Sequence, residues 1–442
     1  KTTPLLTNVQ IKLYKMEVFF CFFAVISNPE DAETVLNSCL NKGSVYKFSK
    51  PWVGDGLITS KASIWKRDIK KLAPAFNQRV IDGFLDTFNL QSEILVKILK
   101  KKIGHDPFDI YPYIGAANLD IICQTAMGTK MDIQSTLNHP YLKAIKTILK
   151  IITTRSSSMW LHIGWFFNLT KLKTKQDKAI MVLHNVSNDI IKQKELKIWP
   201  QALNFADKFR AFLDLMLEIN SRENSFTARE MREQVDTMIA AGHETSAHAI
   251  LFTLLSLATH TQIQDKVYQE LKEVFNDEEV QVTKSDLSKL VYLEAVIKES
   301  LRLFPVVPMV FRYIDKDVQL KNYTIPRGCN CAISIWGLNR NDRWGEDFNT
   351  FRPERWLNPE ETPQHPASFA SFSYGRRVCI GRKYAMMSMK IMLSHLLRRL
   401  RFKADITRVD LNVHFVLKPV LLTFMDLARH LQSGGSNVVL YI

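Results

Sequence analysis

The chain has 442 residues, 46% of them hydrophobic and 23% charged, a balance that excludes a disordered or fibrous protein and fits a globular one. Lysine and arginine outnumber aspartate and glutamate by 59 to 44, and the resulting +15 charge favours acidic partners or anionic lipid surfaces, since no nucleic-acid-binding module is present. The six cysteines (Cys21, Cys39, Cys123, Cys329, Cys331 and Cys379) are too few and too unevenly spaced for a disulfide framework and point to a reducing compartment.

No linker or repeat divides the chain, so one domain is expected over residues 1–442. The chain does not begin with methionine, and an N-terminal piece is expected to be missing. The best apolar run, Val18 to Ile26, is too short to span a bilayer and reads as a buried strand. Asn28-Pro29-Glu30-Asp31 then supplies a capping residue, a proline for the first helical position and acids for the first turn.

Helical patterns follow at about Ala62–Leu72, Arg79–Lys102, Ala116–Met127 and Lys175–Lys194. Thr227-Ala228-Arg229-Glu230 is a capping box that opens a long helix towards Leu257. Another helix, about Leu290–Leu303, stops at Phe304-Pro305, and strand-like pieces follow at Val318–Ile325 and Cys331–Ile335. Cys329 and Cys331 share one face of such a strand, where buried small residues are favoured over a metal pair because no second ligand pair follows. The last strong helix starts just after Cys379 and ends near Arg399. The fold class is therefore mainly α with minor β.

Four separated segments carry the chemistry. In Phe372-Ser373-Tyr374-Gly375-Arg376-Arg377-Val378-Cys379-Ile380-Gly381, Gly375 permits a tight turn and Cys379 is expected at a helix start, where unpaired N–H groups favour thiolate. Gly381 lets a flat cofactor approach the backbone, and Arg377 can pair with an anionic group on it. A lone buried cysteine at a loop–helix junction is the plain alternative, and the Phe, Gly, Arg and Gly at these offsets argue against it. Glu299 and Arg302, three apart, share a helical face; such pairs alone are commonplace. In Ala241-Gly242-His243-Glu244-Thr245, small residues leave room over a bound group, and Thr245 can bond back to the Ala241 carbonyl and locally open the helix. His243 and His248 nearly spell the zinc-protease motif His-Glu-x-x-His. A spacing of five puts them roughly 140° apart on a helix, so they cannot share a metal.

Together these segments resemble the cytochrome P450 family. The Cys379 segment is similar to its heme-binding signature, with Ala385 four residues past the second glycine; Glu299-Ser300-Leu301-Arg302 to its Glu-x-x-Arg; Phe351-Arg352-Pro353-Glu354-Arg355-Trp356 to its Pro-Glu-Arg-Phe, with tryptophan last; and Ala241–Thr245 to its oxygen-activation segment. The resemblance is closest to animal family-4 microsomal members, through Asn118–Gly128, Phe212–Leu215 and Pro51–Leu57. It implies the P450 fold, a single large domain enclosing heme b, with Cys379 the axial iron ligand and Phe372, Gly375, Gly381, Ala241, Gly242, Trp65, Arg377 and Arg312 around the cofactor. The two arginines would pair with heme propionates. It implies a structural triad of Glu299, Arg302 and Arg355, and a proton route through Glu244 and Thr245.

The implied reaction inserts one atom of O2 into an apolar substrate such as a fatty acid, terpenoid or xenobiotic. Electrons would come from NADPH–cytochrome P450 reductase, with cytochrome b5 a further candidate donor, since the chain lacks a glycine-rich dinucleotide fingerprint. Arg376, Arg382, Lys383, Lys66, Arg67, Lys70 and Lys71 would form the docking face, and Ile239, Ala240, Val306, Val307, Met309 and Val310 would face substrate. The expected location is the cytosolic face of the endoplasmic reticulum membrane. The family's anchor and proline-rich hinge are not found in the chain, and Met159–Leu169 is either a membrane contact or a buried segment.

Three departures stand out. Ile69 occupies the place of the arginine in the family's Trp-x-x-x-Arg, leaving Arg67 or Lys70 as imperfect substitutes and a turnover-impaired heme binder as the alternative reading. Ala241 replaces the glutamate that esterifies heme in many family-4 members. Val420–Phe424 lacks the family's glycine-bearing turn.

Overall fold

Local sequence signals set where the helices begin. Asn28 Oδ1 accepts from the Asp31 N–H at 3.1 Å, capping α1 (Pro29–Ser38), whose Pro29 sits where no N–H is required. Thr227 Oγ1 accepts from the Glu230 N–H at 3.2 Å while the Glu230 carboxylate accepts from the Thr227 N–H at 2.8 Å, so both halves of the capping box form. The computed structural model describes residues 14–18, 21–198, 211–404, 411–413, 416–419 and 424–428.

In chain order the principal helices after α1 are α2 (Ala62–Leu72), α3 (Leu85–Lys100), α4 (Tyr111–Met127), α5 (Pro140–Ser157) and α6 (Lys171–Ile198). They are followed by α7 (Phe212–Glu223), α8 (Ala228–Thr259), α9 (Thr261–Val274), α10 (Val291–Leu303) and α11 (Arg382–Arg399). The main sheet combines β1 (Tyr14–Val18), β2 (Cys21–Ile26), β3 (Met309–Tyr313) and β4 (Asn330–Ser334) in the order β1-β2-β4-β3. β2 runs parallel to β4, from Phe23↔Asn330 to Ile26↔Ile333, and β3 runs antiparallel to β4 with Arg312 opposite Cys331.

From Ser246 to Ala258 every residue of α8 is buried, so this helix is surrounded by the rest of the fold. It lies against α4, α6, α10 and α11, forming a core that extends from Phe48 to Leu417. A smaller cluster fills the space between α1 and the sheet, with Ile26, Val35, Leu36 and Ile333 buried; Cys331 is buried there too. The architecture is thus mainly helical with little sheet.

Several elements differ from expectation. The helix expected over Arg79–Lys102 is two pieces, Gln78–Asp82 and α3, separated at Gly83-Phe84. α4 begins at Tyr111, because Pro112 is tolerated in a first turn. α5, α7 and α9 were not anticipated. Val420–Thr423 lie outside the described residues, and Phe424 opens a strand, Phe424–Ala428.

Met159–Leu169 divides its residues between two environments. Leu161 and Phe167 are buried in a cluster with Ile151, whereas Trp160, Trp165 and Leu169 are 67%, 68% and 80% exposed. No described helix is long and apolar enough to cross a membrane.

Candidate active site

The loop carrying Cys379 is shaped by what it must pass. Gly375 has φ +74°, and a Cβ there would lie 2.8 Å from Asn37 Oδ1 and 3.1 Å from the Leu36 carbonyl, so the turn is pressed against α1. The Cys379 N–H closes the loop by donating to the Phe372 carbonyl at 2.9 Å. α11 starts only at Arg382, so Cys379 precedes the helix instead of occupying its first turn. Enclosure by protein pushes its thiol up, against the opposing pull of the Gly381 N–H and Arg382. The helix end does not suffice to make a thiolate; a coordinated metal ion would deprotonate the thiol outright.

Cys379 is nevertheless accessible, because it borders an internal cavity of about 360 Å³. That size falls among cofactor and small-molecule sites, typically ~300–1,000 Å³. Phe372, Gly381 and Ala385 share its wall with Cys379, and α8 contributes Ala241, Gly242, Glu244 and Thr245. Ala240, Val306, Val307 and Val310 also border it. Ile239 is buried in the core and Met309 is not among the lining residues, so these two do not face the cavity as expected.

Thr245 Oγ1 donates to the Ala241 carbonyl at 2.5 Å, yet α8 continues unbroken through it, without the expected local opening. Gly242 has a packing role: a Cβ there would meet Ile122 Cδ1 at 2.5 Å, so its absence lets α8 approach α4. The buried Glu244 carboxylate accepts from the Tyr111 hydroxyl, at the start of α4. Sequence reasoning missed this contact. His248 Nδ1 engages the Glu244 carbonyl at 2.8 Å.

At one edge of the cavity, cations gather without acids. Lys42, Trp65, Ile69 and Arg377 are lining residues; Arg312 is not, and stands fully buried on β3. Arg377 donates to the carbonyls of Leu40 (2.8 Å), Leu57 (2.8 Å) and Ser60 (3.1 Å), and its guanidinium lies 5.1 Å from the Trp65 ring centre. Arg312 donates to the Phe311 carbonyl at 3.2 Å, while its Nε has no partner among the described residues. Burial, then the neighbouring Arg312, lowers Arg377 to about 9, and burial with both arginines drives Lys42 well down. Among the described residues none of the three forms an ion pair with a carboxylate. Buried positive charge without an acid is costly, and it fits a cofactor that brings its own carboxylates. Heme, with two propionates and an iron for Cys379, meets that requirement.

Away from the cavity, Glu299 Oε1 and Oε2 accept from Arg302 Nη2 and Nε, both at 2.8 Å, and Oε1 accepts from Arg355 Nε at 3.0 Å. All three side chains are fully buried. Trp356 Nε1 and the Arg352 N–H, each at 3.0 Å, also donate to the same carboxylate, two partners that the triad reading omitted.

Arg376, Arg382 and Lys383, in and just after the Cys379 loop, are exposed, as are Lys66 and Lys70 on α2. Arg67 is bound to Asp68 (2.6 Å) and Glu230 (2.7 Å), and Lys71 to Glu223 (2.9 Å).

A mainly helical fold whose cavity is bordered both by a cysteine and by a threonine of a long central helix fits a heme-thiolate protein. The cytochrome P450 family model matches residues 11–424. The chain is 34% identical over 415 residues to cytochrome P450 4c3 of Drosophila melanogaster, covering 89% of this chain and 78% of that one. It is 35% identical over 406 residues to cytochrome P450 4V2 of Homo sapiens (89% and 77% covered), and 34% over 435 residues to cytochrome P450 4d2 of Drosophila melanogaster (92% and 86%). The chain belongs to the cytochrome P450 family. It is a monooxygenase of the class that carries heme b on a cysteine thiolate.

Proposed function

We propose that Cys379 is the axial ligand and that the enzyme oxidises an apolar substrate such as a fatty acid, terpenoid or xenobiotic in the cavity between Cys379 and α8. One observation carries this reading: Cys379, Ala241 and Thr245 border the same cavity. When bound, heme supplies O2 activation, with thiolate donation favouring O–O cleavage. The chain's own residues bind, exclude water and handle protons. Phe372, Val306 and Val310 give a wall without hydrogen-bonding side chains, so an apolar substrate loses little on entering. Thr245 keeps its hydroxyl at the cavity by anchoring it to the Ala241 carbonyl, and the Glu244 carboxylate, on the same cavity wall, accepts from the Tyr111 hydroxyl. This intact pair favours turnover over a heme binder that only sequesters ligands.

Electrons arrive from NADPH–cytochrome P450 reductase, with cytochrome b5 as a second donor, at the face bearing Arg376, Arg382 and Lys383; a basic surface suits an acidic partner. Exposed Trp160, Trp165 and Leu169 support contact with the cytosolic leaflet of the endoplasmic reticulum, since tryptophan suits that interface. Residues 1–442 act as one domain.

The reduced protein under carbon monoxide should give the absorption band from which the family takes its name, and Cys379→Ala should lose it. A Cys379→Ala protein that kept the band would overturn the assignment. With reductase and NADPH, Thr245→Ala should divert electrons to hydrogen peroxide while ligand-induced spectral shifts persist. Unchanged coupling would remove Thr245 from the proton route.

A further inference from the structure

The wall position where the family's Trp-x-x-x-Arg motif places a further propionate-binding arginine holds Ile69, a side chain with no charge to offer. The two substitutes suggested by sequence do not fill the gap. Arg67 is exposed and engaged by Asp68 and Glu230, Lys70 is exposed, and neither borders the cavity. Lys42 does border it.

Its backbone is fixed there by the sheet. Lys42 forms an isolated bridge with Arg312, flanked by Gly43 N–H to the Phe311 carbonyl at 3.2 Å and Tyr313 N–H to the Asn41 carbonyl at 2.9 Å. A Cβ on Gly43 would come within 2.7 Å of Phe311 Cβ, so this segment lies hard against β3. The Lys42 ammonium rests 4.8 Å from the Tyr46 ring centre, much as Arg377 rests on Trp65. Aromatic faces hold a cation weakly compared with a carboxylate. Two cations at one cavity edge, each on a ring and neither with an acid among the described residues, are arranged for a group carrying two negative charges.

We propose that Lys42 is the propionate-positioning residue of this enzyme, replacing from the β3 edge the charge that α2 lacks at position 69. The proposal rests on the heme-thiolate reading, and it assigns to Lys42 an electrostatic bond that slows heme loss and holds the cofactor edge beside Arg377. Burial and the two neighbouring arginines disfavour the Lys42 ammonium in the chain alone, and a carboxylate beside it would reverse that penalty, so heme binding and the charge on Lys42 support each other.

Heme transfer from the ferric holoprotein to excess apomyoglobin measures the bond without recourse to turnover. Lys42→Met keeps the length and apolar stem of the side chain and removes its charge. It should release heme roughly tenfold faster, as loss of one hydrogen bond to a charged group implies, while the carbon-monoxide band of the family remains. Lys42→Met/Ile69→Arg should restore slow release, because a guanidinium then reaches the same edge from α2. If Lys42→Met accumulates only as unfolded chain, the double variant decides: recovery of heme-loaded protein supports a charge directed at the cofactor, and continued failure overturns it. Release from a folded Lys42→Met within twofold of wild type also overturns it. Absence of the carbon-monoxide band in wild-type protein would instead sink the thiolate reading beneath it.

Discussion

Trp356 donates its indole N–H to Glu299 Oε2 at 3.0 Å, the oxygen that also accepts from Arg302 Nε at 2.8 Å. Phenylalanine, which the family motif has at this place, offers no such donor. Glu299 therefore accepts from two guanidinium groups, an indole and the Arg352 backbone N–H in a fully buried setting. Glu299→Ala would leave buried Arg302 without a carboxylate and Arg355 with Asp347 alone, at 3.1 Å, at a cost of roughly 3–5 kcal/mol. The expected product is heme-free, poorly folded protein, and normal heme content would contradict the structural role. Trp356→Phe removes one bond to a charge, about 1.5–3 kcal/mol. It should lower the thermal midpoint and leave the carbon-monoxide band intact.

Asp236 on α8 sits in a fully buried site with the Ser187 hydroxyl at 2.6 Å, facing His184 at 3.6 Å and Arg232 at 3.7 Å. Burial pushes its carboxyl up from 3.8 to about 7, although Ser187 and Arg232 pull the other way. The folded value lies above the unfolded one, so this group's contribution is fully present below the unfolded value. It falls as pH rises through the folded value and levels off beyond it. Wild-type stability in urea should therefore decline by a few kcal/mol between about pH 4 and about pH 7 on this account. Asp236→Asn keeps an acceptor for Ser187 and cannot ionise. Its midpoint should be flatter over that window and higher than wild type at about pH 8. Parallel pH curves for the two proteins would show that Asp236 ionises without penalty.

What could be read from the sequence was whatever is encoded locally. The Asn28-Pro29 start, the Thr227–Glu230 box, the Glu299–Arg302 spacing and the Cys379 loop each place their interacting atoms within a few residues. α5, α7 and α9 escaped because their starts carry weak signals. α7 and α9 have no side-chain cap bond from Ala211 or His260, and α5 is capped by the unusual His139. Side chains brought together from distant segments were equally invisible. Lys42 reaches the cavity only because an isolated bridge joins its segment to Arg312, and Glu244 meets Tyr111 only because α4 packs against α8. The position of Arg312, off the cavity wall, and the short interval between Cys379 and α11 are likewise matters of packing.

Gly242 offers a test in which the sign of the effect changes. Alanine is favoured over glycine in a helix by about 1 kcal/mol, so an unopposed Gly242→Ala should stabilise. Here the added Cβ meets Ile122 Cδ1 at 2.5 Å and Cγ1 at 2.8 Å, and overpacking of this kind typically costs ~1–3 kcal/mol. Gly242→Ala should therefore destabilise the wild type. Ile122→Ala removes both colliding atoms, and in that background Gly242→Ala should become neutral or stabilising. Thermal midpoints of the four proteins in the cycle give the coupling directly. Equal effects in both backgrounds would mean that α8 does not need this glycine to approach α4.

Ala241 limits how the cofactor can be held. An ester to heme needs a carboxylate at the cavity wall, and this wall position offers a methyl group. The nearest acid on α8, Glu244, also borders the cavity, but its carboxylate is engaged by the Tyr111 hydroxyl. Heme should therefore leave the protein freely in acidified organic solvent and run as unmodified heme on chromatography, even after repeated turnover. Ala241→Glu supplies the missing carboxylate, and after turnover part of its heme should remain with the polypeptide on a denaturing gel. Wild-type heme that stays attached would refute the first expectation. The small side chain also leaves the region above Cys379 wider, which restrains a flexible substrate less. Terminal and in-chain hydroxylated products of a fatty acid should then appear together, and Ala241→Glu should shift the ratio towards the terminal product. A purely terminal product from the wild type would show that other residues of the wall set the regiochemistry.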